Sequence, residues 1–156
     1  MMARTISPAE QASTGGQRLI SHTRQIESVD LLKLLLANPE RPRIFWRSPH
    51  RGITYAGLDI AVQISAEGDQ RFGLIQQQAQ TIFSQAAIEA DDSSLEPRFF
   101  GGFAFLPQAS RGIWRQFGDA QFVIPKLMFT QFPDGETWLT VSVLEGKAAN
   151  IDEPSY

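Results

Sequence analysis

Apolar and polar residues alternate along this chain in short strand-like runs separated by turn residues, and helical spacing replaces that alternation in only two places. Residues 17–27 place Leu19, Thr23 and Ile26 at β-compatible intervals, which predicts a strand. Ser28 or Asp30 can cap a short helix through Ala37, because either side-chain oxygen can accept a free amide of the first turn; Asn38-Pro39 ends it. The run 43–48 (RIFWRS) reads as a strand, Pro49-His50-Arg51-Gly52 as a turn, and 53–56 as the returning arm of a hairpin. Residues 59–67 place Ile60, Val62 and Ile64 on one face at period two. Gly68-Asp69 then breaks the strand and caps a long helix over about 70–90. Its stripe is Phe72, Ile75, Ala79, Ile82, Phe83 and Ala86, with Gln76, Gln77, Gln80 and Gln85 opposite, so it is expected to pack on a sheet by one side.

The second half is strand-rich. Residues 96–105 (EPRFFGGFAF) set four phenylalanines around a glycine pair, followed by Trp114 and Phe117. A side-chain-free pair in so apolar a run implies that another backbone or a ring approaches closely, and predicts a kinked strand in the sheet core. Residues 120–132 and 137–144 flank Pro133-Asp134-Gly135-Glu136, a strong hairpin signal, and Pro125 should sit at an edge or a bulge because it lacks a ladder amide. The fold class expected is α+β, a largely antiparallel sheet carrying one long amphipathic helix and one short helix. Residues 1–16 read as a flexible arm, 17–146 as a single domain, and 147–156 as a polar tail or the entry to a linker.

Composition narrows the function more than it identifies it. The 156 residues carry a net charge of -3 with no large single-sign block, which argues against broad capture of nucleic acid or an anionic membrane. The chain has no cysteine, so disulfides, thiolate metal sites and a thiol nucleophile are excluded. No secretory leader is visible near the N-terminus, and a cytoplasmic location is the default expectation.

Candidate chemistry is thin. Ser48 and His50 are too close across a proline to meet as nucleophile and base. Arg47, Arg51 and the Gly52 amide could cradle an anion, although most such turns are simply solvated. His22 reads as a surface or satisfied strand residue. The acidic groups Asp91-Asp92, Asp134 with Glu136, and Asp152-Glu153 fall in turns or the tail, at no metal-ligand spacing. Aromatics beside basic residues, at 45–47 and 114–117, could stack bases, but rings inside and arginines outside explain the alternation more simply. Residue chemistry alone assigns no catalytic, cofactor-binding or metal residue.

Several segments, taken in order, carry a resemblance. They are 42–49 (PRIFWRSP), Ala56-Gly57-Leu58 with the strand that follows, Arg71-Phe72, 97–105 (PRFFGGFAF), Trp114 with Phe117, and 120–125 (AQFVIP). Together they resemble the N-terminal portion of isochorismate synthases, within the chorismate-utilising enzymes, over about residues 40–145. The resemblance implies a Mg²⁺-dependent isomerisation of chorismate to isochorismate, in a menaquinone or siderophore pathway. It also implies that the general base, a lysine in a K-V-V-L-A-R-like segment, and the glutamate acid and metal ligands lie beyond the equivalent of Leu144. Lys126 and Lys147 have no such surroundings, so no role transfers to them. The expectation is a scaffold segment, inactive alone, whose partner is the C-terminal chorismate-binding region, on the same or a separate chain. Self-association through an exposed sheet edge is a further expectation. The alternative is a non-catalytic interaction module built on the same scaffold.

Overall fold

The computed structural model describes residues 17–108 and 112–145; the arm expected over 1–16 and the tail expected over 147–156 lie outside the described residues. The elements run β1 (Leu19–Ile26), α1 (Leu31–Leu36), β2 (Arg43–Arg47), β3 (Thr54–Ala66), α2 (Arg71–Gln85), β4 (Ala87–Glu89), β5 (Phe100–Phe103), a 3₁₀ turn (Gly112–Phe117), β6 (Ala120–Gln131) and β7 (Thr137–Leu144). Among the described residues the strands form one seven-stranded sheet in the order β2-β3-β6-β7-β1-β4, with β5 also paired to β6. Every pairing is antiparallel except β1 with β4. The α+β class with a mainly antiparallel sheet is therefore observed.

Local chemistry accounts for the hairpins. In the β2–β3 turn, Ser48 and Gly52 close the loop through Ser48 N to Ile53 O and Gly52 N to Ser48 O, both 2.9 Å, with Gly52 at a φ of 65°. The β6–β7 turn closes through Phe132 N to Glu136 O at 2.9 Å, and Gly135 takes a φ of 90°. Left-handed backbone of this kind favours glycine, which has no Cβ to clash with the neighbouring carbonyl. Asp30, rather than Ser28, caps α1: its Oδ1 accepts the Lys33 amide at 3.0 Å. At the other end of α1, Arg43 Nη1 donates to the Leu35 carbonyl at 3.0 Å, tying the helix to β2.

Three sequence expectations need correction here. The long helix ends at Gln85, and residues 87–89 form β4 beside β1, with Ile20 opposite Ala87 and His22 opposite Glu89. Ala86 and Ile88 continue a helical spacing, but the outer edge of β1 offers unpaired backbone groups that a helix would leave unmet. Asp69 does not cap α2 either; its first position, Gln70, makes no side-chain cap bond. Finally, residues 54–66 are one strand rather than two. Asp59 adopts a φ of 56°, and the register with β6 shifts between Ile60 and Val62. That bulge turns Ile60 out (41% exposed) while Val62 and Ile64 stay buried, so the three do not share one face. Pro125 lies opposite Ile60 beside this shift, the bulge position its missing amide requires.

The core forms in patches along the sheet. Ile75 and Ile82 of α2 pack on Val62, Ile64, Ala120 and Ile124. Leu31 and Leu35 of α1 pack on Ala56, Leu58 and Phe129. Between β1 and β7 the buried contacts are hydroxyls: Ser21 Oγ lies 2.8 Å from Ser142 Oγ, and Thr23 Oγ1 lies 2.9 Å from Thr140 Oγ1. No helix of the described residues is long and apolar enough to cross a membrane.

Candidate functional site: an apolar groove beside the double-glycine strand

The phenylalanine-glycine run forms β5, and the approach expected at its glycines occurs at one of them. A Cβ on Gly101 would overlap the carbonyl oxygen of Gln121 and lie 2.7 Å from Cα of Phe122; one on Gly102 would meet nothing within 4 Å. The close approach lets β5 hydrogen-bond along β6, with Phe100 opposite Val123 and Phe103 opposite Ala120. The expected place in the sheet core is not what the structure shows. The strand has β6 on one side and no strand on the other among the described residues, and Phe103 is 40% exposed. Phe103 instead joins a ring cluster, 4.4 Å from Phe72 and 4.9 Å from Phe122 between centroids. The arrangement of rings inside and arginines outside fails too: Phe45, Trp46, Trp114 and Phe117 are all exposed, because β2 is an edge strand and the 3₁₀ turn stands off the sheet.

Ala120 and Ile124 face α2, so the intervening Gln121 and Val123 point to the opposite face of β6. There they floor a groove of about 600 Å³, walled by Ile44, Ile60, Phe100, Phe103, Trp114 and Phe117. Its polar members are few. Asp59 is held by Arg41, with Nε to Oδ1 at 3.0 Å and a second bond from Nη2 to Oδ2. The bond from Arg41 keeps the Asp59 carboxyl below its ordinary pKa and raises that of Arg41. Gln121 Oε1 is buried with no hydrogen-bond partner.

A buried polar clamp secures one end of the groove. Asp119 accepts the amide of Gly68 at 2.7 Å and that of Gln108 at 2.6 Å. The Gly68 amide first and the Gln108 amide second hold its carboxyl below the ordinary value, and the Arg71 guanidinium adds to the effect. Arg71, buried beneath the same segment, donates to the carbonyls of Gly68 (3.1 Å) and Ala104 (3.0 Å) and lies over the Phe72 ring. Together these two residues pin the turn before α2 to the backbone leaving β5. Neither was singled out as functional from sequence, since one isolated charge carries no periodic signal. Gly118-Asp119 just ahead of an alternating run was the available hint.

The remaining candidates resolve as structure. Ser48 Oγ accepts the Arg51 amide at 3.3 Å, and the Gly52 amide is spent on Ser48 O, so this turn aims no free amide at an anion. His22 is exposed, with Nδ1 2.9 Å from Glu89 Oε2. Asp91, Asp92, Asp134 and Glu136, read as separate clusters, line one shallow cleft. Yet Asp92 accepts the Ser94 amide, Asp134 the Glu136 amide and Glu136 the Trp138 indole, so each serves its own turn. Asp152-Glu153 lie outside the described residues. No three histidine, aspartate or glutamate side chains gather to hold a metal ion among the described residues, so these residues do not fit a Mg²⁺ site.

A protein-family model described as chorismate binding enzyme matches residues 4–155 of this sequence. The chain belongs to that family. Within it, the chain is 32% identical over 136 residues to the isochorismate synthase MenF of Bacillus subtilis, covering 80% of this chain and 28% of that protein. It is 28% identical over 123 residues to the salicylate biosynthesis isochorismate synthase of Pseudomonas aeruginosa, covering 77% of this chain and 24% of that protein. The likeness to isochorismate synthases read from the ordered segments is thereby shown. This member of the chorismate binding enzymes spans about a quarter of the length of the curated relatives it matches.

Proposed function

We propose that this chain is the N-terminal scaffold segment of an isochorismate synthase-like enzyme, and that the groups acting on chorismate belong to the chorismate-binding remainder of that enzyme. One observation carries the reading: the largest groove is apolar and open, and it holds neither a lysine nor a set of carboxylates. Adding water at one ring carbon of chorismate and expelling hydroxide from another requires a base near neutral pKa and an acid at the leaving oxygen. In the full-length enzyme Mg²⁺ would be held by the glutamates of the remainder, and no step is assigned to it on the residues described here.

What this chain contributes is shape. Its sheet fixes β5, and Asp119 with Arg71 fixes the segment leaving it, giving a preformed wall against which the remainder completes its fold. In solution, the purified chain should turn over no chorismate alone. Adding a separately produced chorismate-binding remainder should give isochorismate, followed by chromatography. A mixture that neither associates nor reacts would favour the second reading, a non-catalytic interaction module, which the exposed rings of β5 and the 3₁₀ turn also support.

A further inference from the structure

We propose that the groove between β2, β5 and the 3₁₀ turn is the seam that receives an apolar surface of the chorismate-binding remainder, and that Gln121 sets its register by accepting a hydrogen bond from that surface. This rests on the scaffold reading and assigns its contact to particular residues.

Exposure, polarity and length all bear on the occupant. Phe103, Trp114 and Phe117 are 40%, 65% and 46% exposed around the groove, and their chain neighbours Phe105 and Ile113 reach 94% and 78%. An apolar surface running on past the groove in this way suits a protein face better than a small ligand. Charge selects an apolar occupant as well. Asp59 is already paired with Arg41, and Arg43 donates to the Leu35 carbonyl, so the rim asks for no counter-charge. Length supplies the candidate, because about three-quarters of each curated relative lies outside the segment this chain matches.

Gln121 makes the contact specific. A buried acceptor without a donor costs stability until something supplies one. In the isolated chain that cost is permanent; in the complex an N–H or O–H of the incoming surface removes it. Apolar rings tolerate sliding, whereas a single buried hydrogen bond does not, so the amide would select one alignment.

The test uses the full chain and, as probe, the Bacillus subtilis relative from which the matching segment has been deleted, with binding measured by titration calorimetry. Trp114→Ala and Gln121→Met are compared with Leu36→Ala, a control at an exposed leucine of α1. Trp114→Ala should leave the melting temperature within about 2 °C, since the ring is exposed, yet weaken binding roughly tenfold or more. Gln121→Met should hold or raise the melting temperature while weakening binding about tenfold. Leu36→Ala should change neither. If the wild-type chain binds and both groove variants bind equally well, the scaffold reading stands and the seam is wrong. If the wild-type chain does not bind the probe, both fall. A dimer of the chain that Trp114→Ala dissolves would make a second copy the occupant and overturn the proposal.

Discussion

Two adjacent glycines should respond to the same substitution with opposite signs. At Gly101 an added methyl would overlap the Gln121 carbonyl and lie 2.7 Å and 2.8 Å from Cα and Cδ1 of Phe122. Carbon–carbon contacts settle at about 3.5 Å or more, so β5 would have to withdraw from β6 by close to an ångström. The obstruction is backbone and cannot rotate away. Relief must come from the β5–β6 ladder, which holds four residue pairs, and from the Phe103–Phe122 ring contact. Overpacking of this kind costs about 2–3 kcal/mol, or roughly 4–10 °C of melting temperature for a chain of this size. At Gly102 nothing lies within 4 Å. Alanine there restricts the unfolded chain without strain and should stabilise by about 0.4–1 kcal/mol. Urea unfolding followed by circular dichroism, on Gly101→Ala and Gly102→Ala in parallel, reads both. Equal effects at the two positions, or a tolerated Gly101→Ala, would refute the close approach of β5 to β6.

Other perturbations follow from the clamp and the hydroxyl pairs. Arg71→Met removes the bonds to the Gly68 and Ala104 carbonyls and should cost about 2–3 kcal/mol, with faster amide exchange at Gln108, measured by hydrogen exchange. Asp59 and Asp119 bind protons less readily folded than unfolded, so their contribution is complete above the ordinary carboxylate pKa and lost as pH falls through it towards the lower folded values. Stability should therefore decline below about pH 4, and Asp119→Asn should be less stable at pH 7 but decline more gently, as read from urea midpoints across that range. Ser21→Ala or Ser142→Ala should each cost about 1–2 kcal/mol by orphaning the other hydroxyl, and the double variant less than their sum, in a double-mutant cycle.

Much of the fold was legible because local chemistry decides it. Pro49 to Gly52 and Pro133 to Glu136 make turns whatever surrounds them, and both hairpins formed where their residues placed them. Asp30 capped α1 for an equally local reason. The failures are all non-local. Ala86 to Glu89 fit a helix as well as a strand, and only the free edge of β1 chose the strand. Ile60 lost its place on the buried face through the bulge opposite Pro125, which depends on the register between two distant strands. The candidate site divides in the same way. Phe103, Trp114 and Phe117 stood out as a hydrophobic pattern, but their exposure did not, since apolar character alone does not say whether a ring is covered. Arg71, Asp119 and Gln121 matter through partners more than ten residues away in two cases and through the lack of a partner in the third.

The central claim is that these residues build architecture for chemistry performed elsewhere. Its most direct measurement is chorismate turnover by the purified 156-residue chain, with Mg²⁺ supplied and isochorismate followed by chromatography. No product above the uncatalysed background is the expected result. Sustained isochorismate formation by this chain alone, abolished by a point substitution within it, would contradict the account.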